Sequence, residues 1–128
     1  MFKGGMVARR ERTVYEYIVI FAVVVISVSL AVALYAGRAK VRKGHLLMQE
    51  LSMLRNGIQI YQLVNRQNPS SLAEMESSTY GSGSESRRYV EPLPKNSEGR
   101  LIDPFGNPYL YDPKSAWVHS QTKGFERW

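Results

Sequence analysis

Polar and apolar positions divide the chain into three stretches. The first twelve residues, MFKGGMVARRER, are short, basic and polar, and Gly4-Gly5 is expected to break any helix there. Residues 17–37 then read YIVIFAVVVISVSLAVALYAG, 21 positions without a charge. At the rise of an α-helix this run is about 31 Å long, close to the apolar thickness of a bilayer. Backbone amides in lipid must be satisfied within their own segment, so a transmembrane helix is predicted. Tyr15 and Tyr17 stand at one end of the run and Tyr35 at the other, where amphipathic rings favour the headgroup level.

The third stretch changes period. Leu47, Leu51, Leu54, Ile58 and Tyr61 recur at intervals of four, three, four and three, which places them on one face of a helix. No proline occurs in residues 13–66. The pattern therefore predicts one continuous or gently broken helix of about 54 residues, lipid-facing first and then striped for a small soluble core. Gly37, Gly44 and Gly57 weaken it by about 1 kcal/mol each against alanine without ending it.

Residues 65–69, NRQNP, are expected to end the helix, because the residue before a proline avoids the helical region. Ser71-Leu72-Ala73-Glu74 fits a capping box and opens a short helical turn. Residues 77–88, SSTYGSGSESRR, read as a flexible loop, and YVEPLP at 89–94 as extended chain. Asp103-Pro104-Phe105-Gly106-Asn107-Pro108 is dense in turn formers. Tyr109-Leu110-Tyr111 and Ala116-Trp117-Val118-His119 flank Asp112-Pro113-Lys114-Ser115, which predicts a β-hairpin. Phe125 and Trp128 are candidate anchors for the tail. The fold class is α+β: a long N-terminal transmembrane and amphipathic helix packed on a small antiparallel sheet. Three segments follow: a basic leader or tail at 1–12, the span with its basic flank at 13–43, and a soluble domain at 44–128.

The net charge of +6 is local. Residues 1–43 hold eight Lys/Arg against Glu11 and Glu16, whereas residues 44–128 hold nine basic and nine acidic residues. The excess flanks the span, which predicts attraction to anionic headgroups at about 1 kcal/mol per basic residue near the surface. A neutral soluble part offers no basic face for nucleic acid. Four basic residues precede the span and four follow it, so charge alone leaves orientation open. The chain has no cysteine, and no small-residue cleavage site follows the apolar run, so a cleaved secretory signal is not expected.

No catalytic or cofactor motif appears, and His45 and His119 lie on separate elements without a partner motif. No enzyme activity, cofactor or metal site is expected. Ser29, Ala33 and Gly37 are spaced by four, a small-residue ridge that allows close helix approach in lipid. Glu16 stands directly against the apolar run, where a carboxylate favours a partner. Arg12, one turn back, is one candidate partner, and a solvated acid at the headgroup level is the other reading.

Taken in order, these features resemble the type IV pilin-like family. They are a short basic leader, an acid just ahead of a uniform apolar helix, and one long N-terminal helix. LRNGIQIYQLVNRQNPSSL at 54–72 looks like the pseudopilin pattern in which that helix ends. DPFGNPY, from Asp103 through Pro104, Phe105, Gly106, Asn107 and Pro108 to Tyr109, is similar to the D-P-W-G-N-P-Y turn of the major pseudopilin of type II secretion systems. The resemblance covers about residues 12–120. It implies a structural, non-enzymatic subunit of a bacterial inner membrane, with its N-terminus cytoplasmic and its domain periplasmic. Such subunits assemble with themselves or with other pilin-like subunits and inner-membrane secretion proteins. The family glutamate maps onto Glu16. In that register maturation falls between Glu11 and Arg12, where the family has glycine before the cut. If the chain stays unprocessed, Arg12 of a neighbour is the candidate partner of Glu16; the alternative expectation is an unprocessed, membrane-anchored periplasmic binding module that recruits a secretion substrate or partner without polymerising. The family's Asp-rich calcium loop has no counterpart in residues 113–128, so no calcium site is carried over, and Asp103 and Asp112 are read as turn residues.

Overall fold

A computed structural model describes residues 4–128, with side chains from Thr13 onward. The chain forms two compact units, residues 1–41 and 42–128. The element order is α1 (Gly4–Asn65), α2 (Leu72–Ser77), β1 (Thr79–Tyr80), a 3-10 turn (Gly83–Glu85), β2 (Arg87–Arg88), β3 (Tyr109–Asp112) and β4 (Trp117–Ser120). The α+β class expected from the pattern is present, but the strands make two separate antiparallel pairs, β1–β2 and β3–β4, rather than one sheet. Helix α1 begins at Gly4, so Gly4-Gly5 does not break it. A glycine pair costs helix stability without forbidding the conformation, and the Ala, Arg and Glu that follow are strong helix formers.

In unit 42–128 the predicted stripe is the core. Leu47, Leu51, Leu54, Ile58 and Tyr61 are all buried, with Leu72, Met75, Tyr89, Val90, Leu101, Tyr109 and Val118 packed against them. At about 1.5–3 kcal/mol per large apolar side chain, the five stripe residues supply roughly 10 kcal/mol of transfer free energy. Tyr109 and Val118 bring β3 and β4 onto the helix, in the register Tyr109↔Ser120, Leu110↔His119, Tyr111↔Val118 and Asp112↔Trp117.

Helix α1 ends in a left-handed residue. Arg66 has φ of 59°, and its amide donates to the Gln62 carbonyl at 2.9 Å. The stop thus comes three residues before Pro69, through the common αL ending, and not through the proline. Ser71 caps α2 as predicted, its hydroxyl accepting from the Glu74 amide at 3.2 Å. The Glu74 carboxylate reaches further than a simple capping box. It accepts from the Ser70 hydroxyl at 2.5 Å, the Ser70 amide at 2.8 Å and the Tyr61 hydroxyl at 2.7 Å. The Ser70 hydroxyl first, and then that of Tyr61, hold the Glu74 carboxyl below the ordinary carboxylate range. One side chain so ties α2 to α1.

The Ser/Gly-rich stretch at 77–88 is not a loop throughout. Ser77 closes α2, and a short hairpin follows, pairing Thr79 with Arg88 and Tyr80 with Arg87 around the 3-10 turn. Gly81 (φ 90°) and Gly83 (φ 62°) take the left-handed conformation that lets so small a hairpin reverse. It is held by a tilted aromatic row: Tyr80 lies 4.9 Å from Tyr89, and Tyr89 lies 5.1 Å from Tyr61.

Gly57 has a role that its helix cost conceals. A Cβ there would stand 2.5 Å from Val90 Cγ2 and 2.7 Å from the Tyr89 carbonyl oxygen. The backbone of residues 89–90 therefore runs directly over α1, and only glycine leaves room. Gly57→Ala is expected to destabilise the protein by about 1–3 kcal/mol through overpacking, although alanine is the better helix former. Thermal unfolding of the full chain in detergent measures this, and an unchanged or raised midpoint would refute the close approach. A second outcome concerns pH. With its folded pKa depressed, Glu74 stabilises above the ordinary carboxylate value of about 4.3 and loses that contribution as pH falls through the folded value. Glu74→Ala should flatten the acid limb of the midpoint-versus-pH curve, and Tyr61→Phe should flatten part of it.

Candidate assembly surface

The apolar run of α1 is exposed along its whole length in unit 1–41. Val14, Ile18, Phe21, Val25, Val28, Val32 and Tyr35 are each about half exposed or more. None of its most apolar stretch is buried within the protein. The helix is long and apolar enough to cross a membrane. Its two serines do not interrupt it as polar groups. The hydroxyls of Ser27 and Ser29 donate back to the Val23 and Val25 carbonyls, each at 2.8 Å. Ser29, Ala33 and Gly37 lie exposed on the helix, and a Cβ on Gly37 would meet nothing within 4 Å. Glu16 is exposed at the start of the run. The Arg12 side chain and the other leader side chains lie outside the described residues.

The second predicted group, the DPFGNPY turn, is brought together tightly, and each residue has a physical reason. Asp103 and Asn107 face each other, the Asp103 amide donating to the Asn107 carbonyl at 2.8 Å. Pro104 presets the first turn residue, and Gly106 takes φ of 88°, the left-handed position of a three-residue hairpin loop. The Gly106 amide closes the turn onto the Asp103 carbonyl at 2.9 Å. Pro108 starts the next segment, bridged to Ile102, and Tyr109 opens β3.

Asp103 does more than start the turn. It is buried, and its carboxylate accepts from four donors. The Phe105 and Asn107 amides reach Oδ1 at 2.9 and 3.0 Å, and the Ser120 and Thr122 hydroxyls reach Oδ2 at 2.6 and 2.5 Å. The Asn107 side-chain amide donates to Thr122 Oγ1, and the Thr122 amide donates to Ser120 Oγ. Among the described residues Asp103, Ser120 and Thr122 are the buried polar side chains, and all three belong to this network. It locks the turn to the end of β4. All four donors are the chain's own, so the carboxylate is fully used in structure. Asp112 plays the simpler part predicted for it, accepting from the Lys114 amide and the Ser115 hydroxyl.

One group that the sequence did not signal, Glu50, joins this region, and a predicted tail anchor packs beside it. Glu50, on α1, accepts from the Tyr109 hydroxyl at 2.5 Å. Burial raises the Glu50 carboxyl and the Tyr109 hydroxyl above their ordinary values. Phe125 packs on Phe105, ring centres 5.7 Å apart, and on Gly44 of α1. Of the two candidate tail anchors, Phe125 is therefore one, whereas Trp128 is 54 % exposed and buries too little to serve as an anchor in this unit. The register Tyr109↔Ser120 sets Ser120 and Thr122 beside the turn.

Comparison with protein-family models, curated proteins and solved structures returns no match.

Asp103→Ala leaves two amides and two hydroxyls of a buried network without their acceptor and is expected to cost about 3 kcal/mol. Asp103→Asn should cost less than half of that, because its carbonyl oxygen still accepts from the amides and its NH2 can donate to the hydroxyl oxygens. Unfolding followed through Trp117 fluorescence ranks the two, and equal losses would mean that the negative charge itself is required.

Proposed function

We propose that the chain is a pseudopilin-like structural subunit of a type II secretion or type IV pilus-like system. In this reading it is held in a bacterial inner membrane by residues 17–37, with the N-terminus cytoplasmic and unit 42–128 periplasmic. It assembles with copies of itself or with other pilin-like subunits and supports protein export. The observation that carries the reading is the division of labour within α1. Its first part exposes an uninterrupted apolar surface, and its second part is the core helix of a small α+β unit. A helix built this way presents lipid-facing packing area while its C-terminal part displays a soluble domain. The DPFGNPY turn supports the same reading through its similarity to the turn of the major pseudopilin.

The mechanism is association in lipid. Helices pack through the Ser29, Ala33 and Gly37 ridge, whose serine hydroxyl is already returned to its own backbone. Glu16 sets axial register, because a carboxylate beside hydrocarbon favours one arrangement that gives it a cationic neighbour. No catalytic step is assigned. The alternative, a membrane-anchored module that recruits a secretion substrate or partner without polymerising, is motivated by Glu11 standing where the family has glycine before the cut.

Glu16→Ala should insert into the membrane and fail to assemble. The chain has no native cysteine, so single cysteines placed on the ridge report helix contact cleanly by oxidative cross-linking. Cross-linked ladders that persist in the Glu16→Ala background would sink the register role. Mass spectrometry of the native N-terminus separates the two readings: a start at Arg12 supports the fibre subunit, and an intact Met1 supports the anchored module.

A further inference from the structure

We propose that residues 122–128, together with Arg42 and Lys43, form an interfacial surface that docks on anionic lipid headgroups. The proposal rests on the membrane-spanning reading of the apolar run and is independent of assembly.

The tail is built as a compact series of turns. The Phe125 amide donates to the Thr122 carbonyl at 2.9 Å, and the Trp128 amide to the Phe125 carbonyl at 3.2 Å. Its root is fixed by Thr122 on the Asp103 carboxylate. Its middle is fixed by Phe125, which lies against Gly44 and Phe105. Lys43 stands over the Phe105 ring, 6.0 Å from its centre. The start of α1 in this unit and the tail thus form one contiguous group.

That group carries the chemistry of a headgroup contact. Arg42, Lys43, Lys123 and Arg127 are exposed, and none makes an ion pair among the described residues. The tail's one acidic side chain, Glu126, accepts from the Gly124 amide at 3.0 Å and so turns back onto its own turn. Trp128 is half exposed beside them, an amphipathic ring of the kind that favours the interface.

The place in the chain selects lipid as the occupant. Gly44, on which Phe125 lies, is seven positions after Gly37, the end of the apolar run. In any conformation that length keeps Gly44 within about 25 Å of the end of the span. Basic side chains so tethered are drawn to an anionic surface, and the tryptophan then has hydrocarbon and headgroup to enter. The burial missing for Trp128 within this unit is supplied by the bilayer.

The test uses the full chain with Trp117→Phe, which leaves Trp128 as its tryptophan, in phosphatidylcholine nanodiscs with and without phosphatidylglycerol. In phosphatidylglycerol discs, Trp128 emission should shift to shorter wavelength and acrylamide quenching should fall, and high salt should reverse both. Lys123→Gln with Arg127→Gln should weaken the docking roughly tenfold or more. Equal quenching in the two kinds of disc, with the chain co-eluting with both, would overturn the headgroup proposal and leave the spanning helix intact. A chain that does not co-elute with discs would overturn the spanning reading, and the headgroup proposal with it.

Discussion

Everything in residues 42–128 depends on the apolar stripe of α1. The strands are two and four residues long, and neither pair has enough area to hold itself together in water. The stripe provides the one long, regular apolar surface available. Leu47, Leu51, Leu54, Ile58 and Tyr61 lie along it, and each later segment contributes one to three residues to cover it. The chain after residue 65 therefore lays successive contacts on this helix: Leu72 and Met75 from α2, Tyr89 and Val90 from the segment that crosses it, and Tyr109 and Val118 from the β3–β4 hairpin.

Apolar covering alone leaves a small unit free to slide, since transfer free energy is nearly indifferent to register. Directional devices fix it. Gly57 lets the backbone at 89–90 approach to a distance no side chain would allow. Glu74 accepts from Tyr61 and Ser70 and so sets α2 against the helix. Asp103 holds a turn and the end of β4 through four donors, and Glu50 joins the same hairpin to α1 through Tyr109. Burying a carboxylate such as Glu50 is costly, and the rise of its pKa reflects that burial.

The same contrast explains what was legible in the sequence. Period, caps and turn chemistry are local, and the stripe, the Ser71 cap and the DPFGNPY turn are where their patterns put them; the β3–β4 hairpin is present with its turn displaced by one residue, Asp112 pairing with Trp117 and Ala116 taking φ of 55° in the turn. The β1–β2 hairpin was missed because each strand is only two residues long, Thr79–Tyr80 and Arg87–Arg88, too short for an alternating pattern to show among the serines and glycines around it. Its pairing is held from outside, by Tyr89 stacked on Tyr80. Gly57 read as a defect because nothing local reveals that another backbone will pass over it. The Asp103 network was half visible. The turn predicted its two amide donors, but Ser120 and Thr122 lie 17 and 19 residues away, and Glu50 lies 59 from Tyr109. Long-range polar partners have no period to betray them.

Of the proposed assembly surface the structure provides the shape, and lipid physics must provide the selectivity. In water, the exposed valines and isoleucines of residues 17–37 would drive indiscriminate association. In a bilayer they have no such drive, because acyl chains solvate them as well as another helix would. What remains to choose a partner is small: close approach along Ser29, Ala33 and Gly37, and one carboxylate at the edge. Returning the Ser27 and Ser29 hydroxyls to their own carbonyls removes the competing polar groups within the run. In the proposed assembly that leaves the small-residue ridge and the Glu16 carboxylate as the groups that would choose a partner.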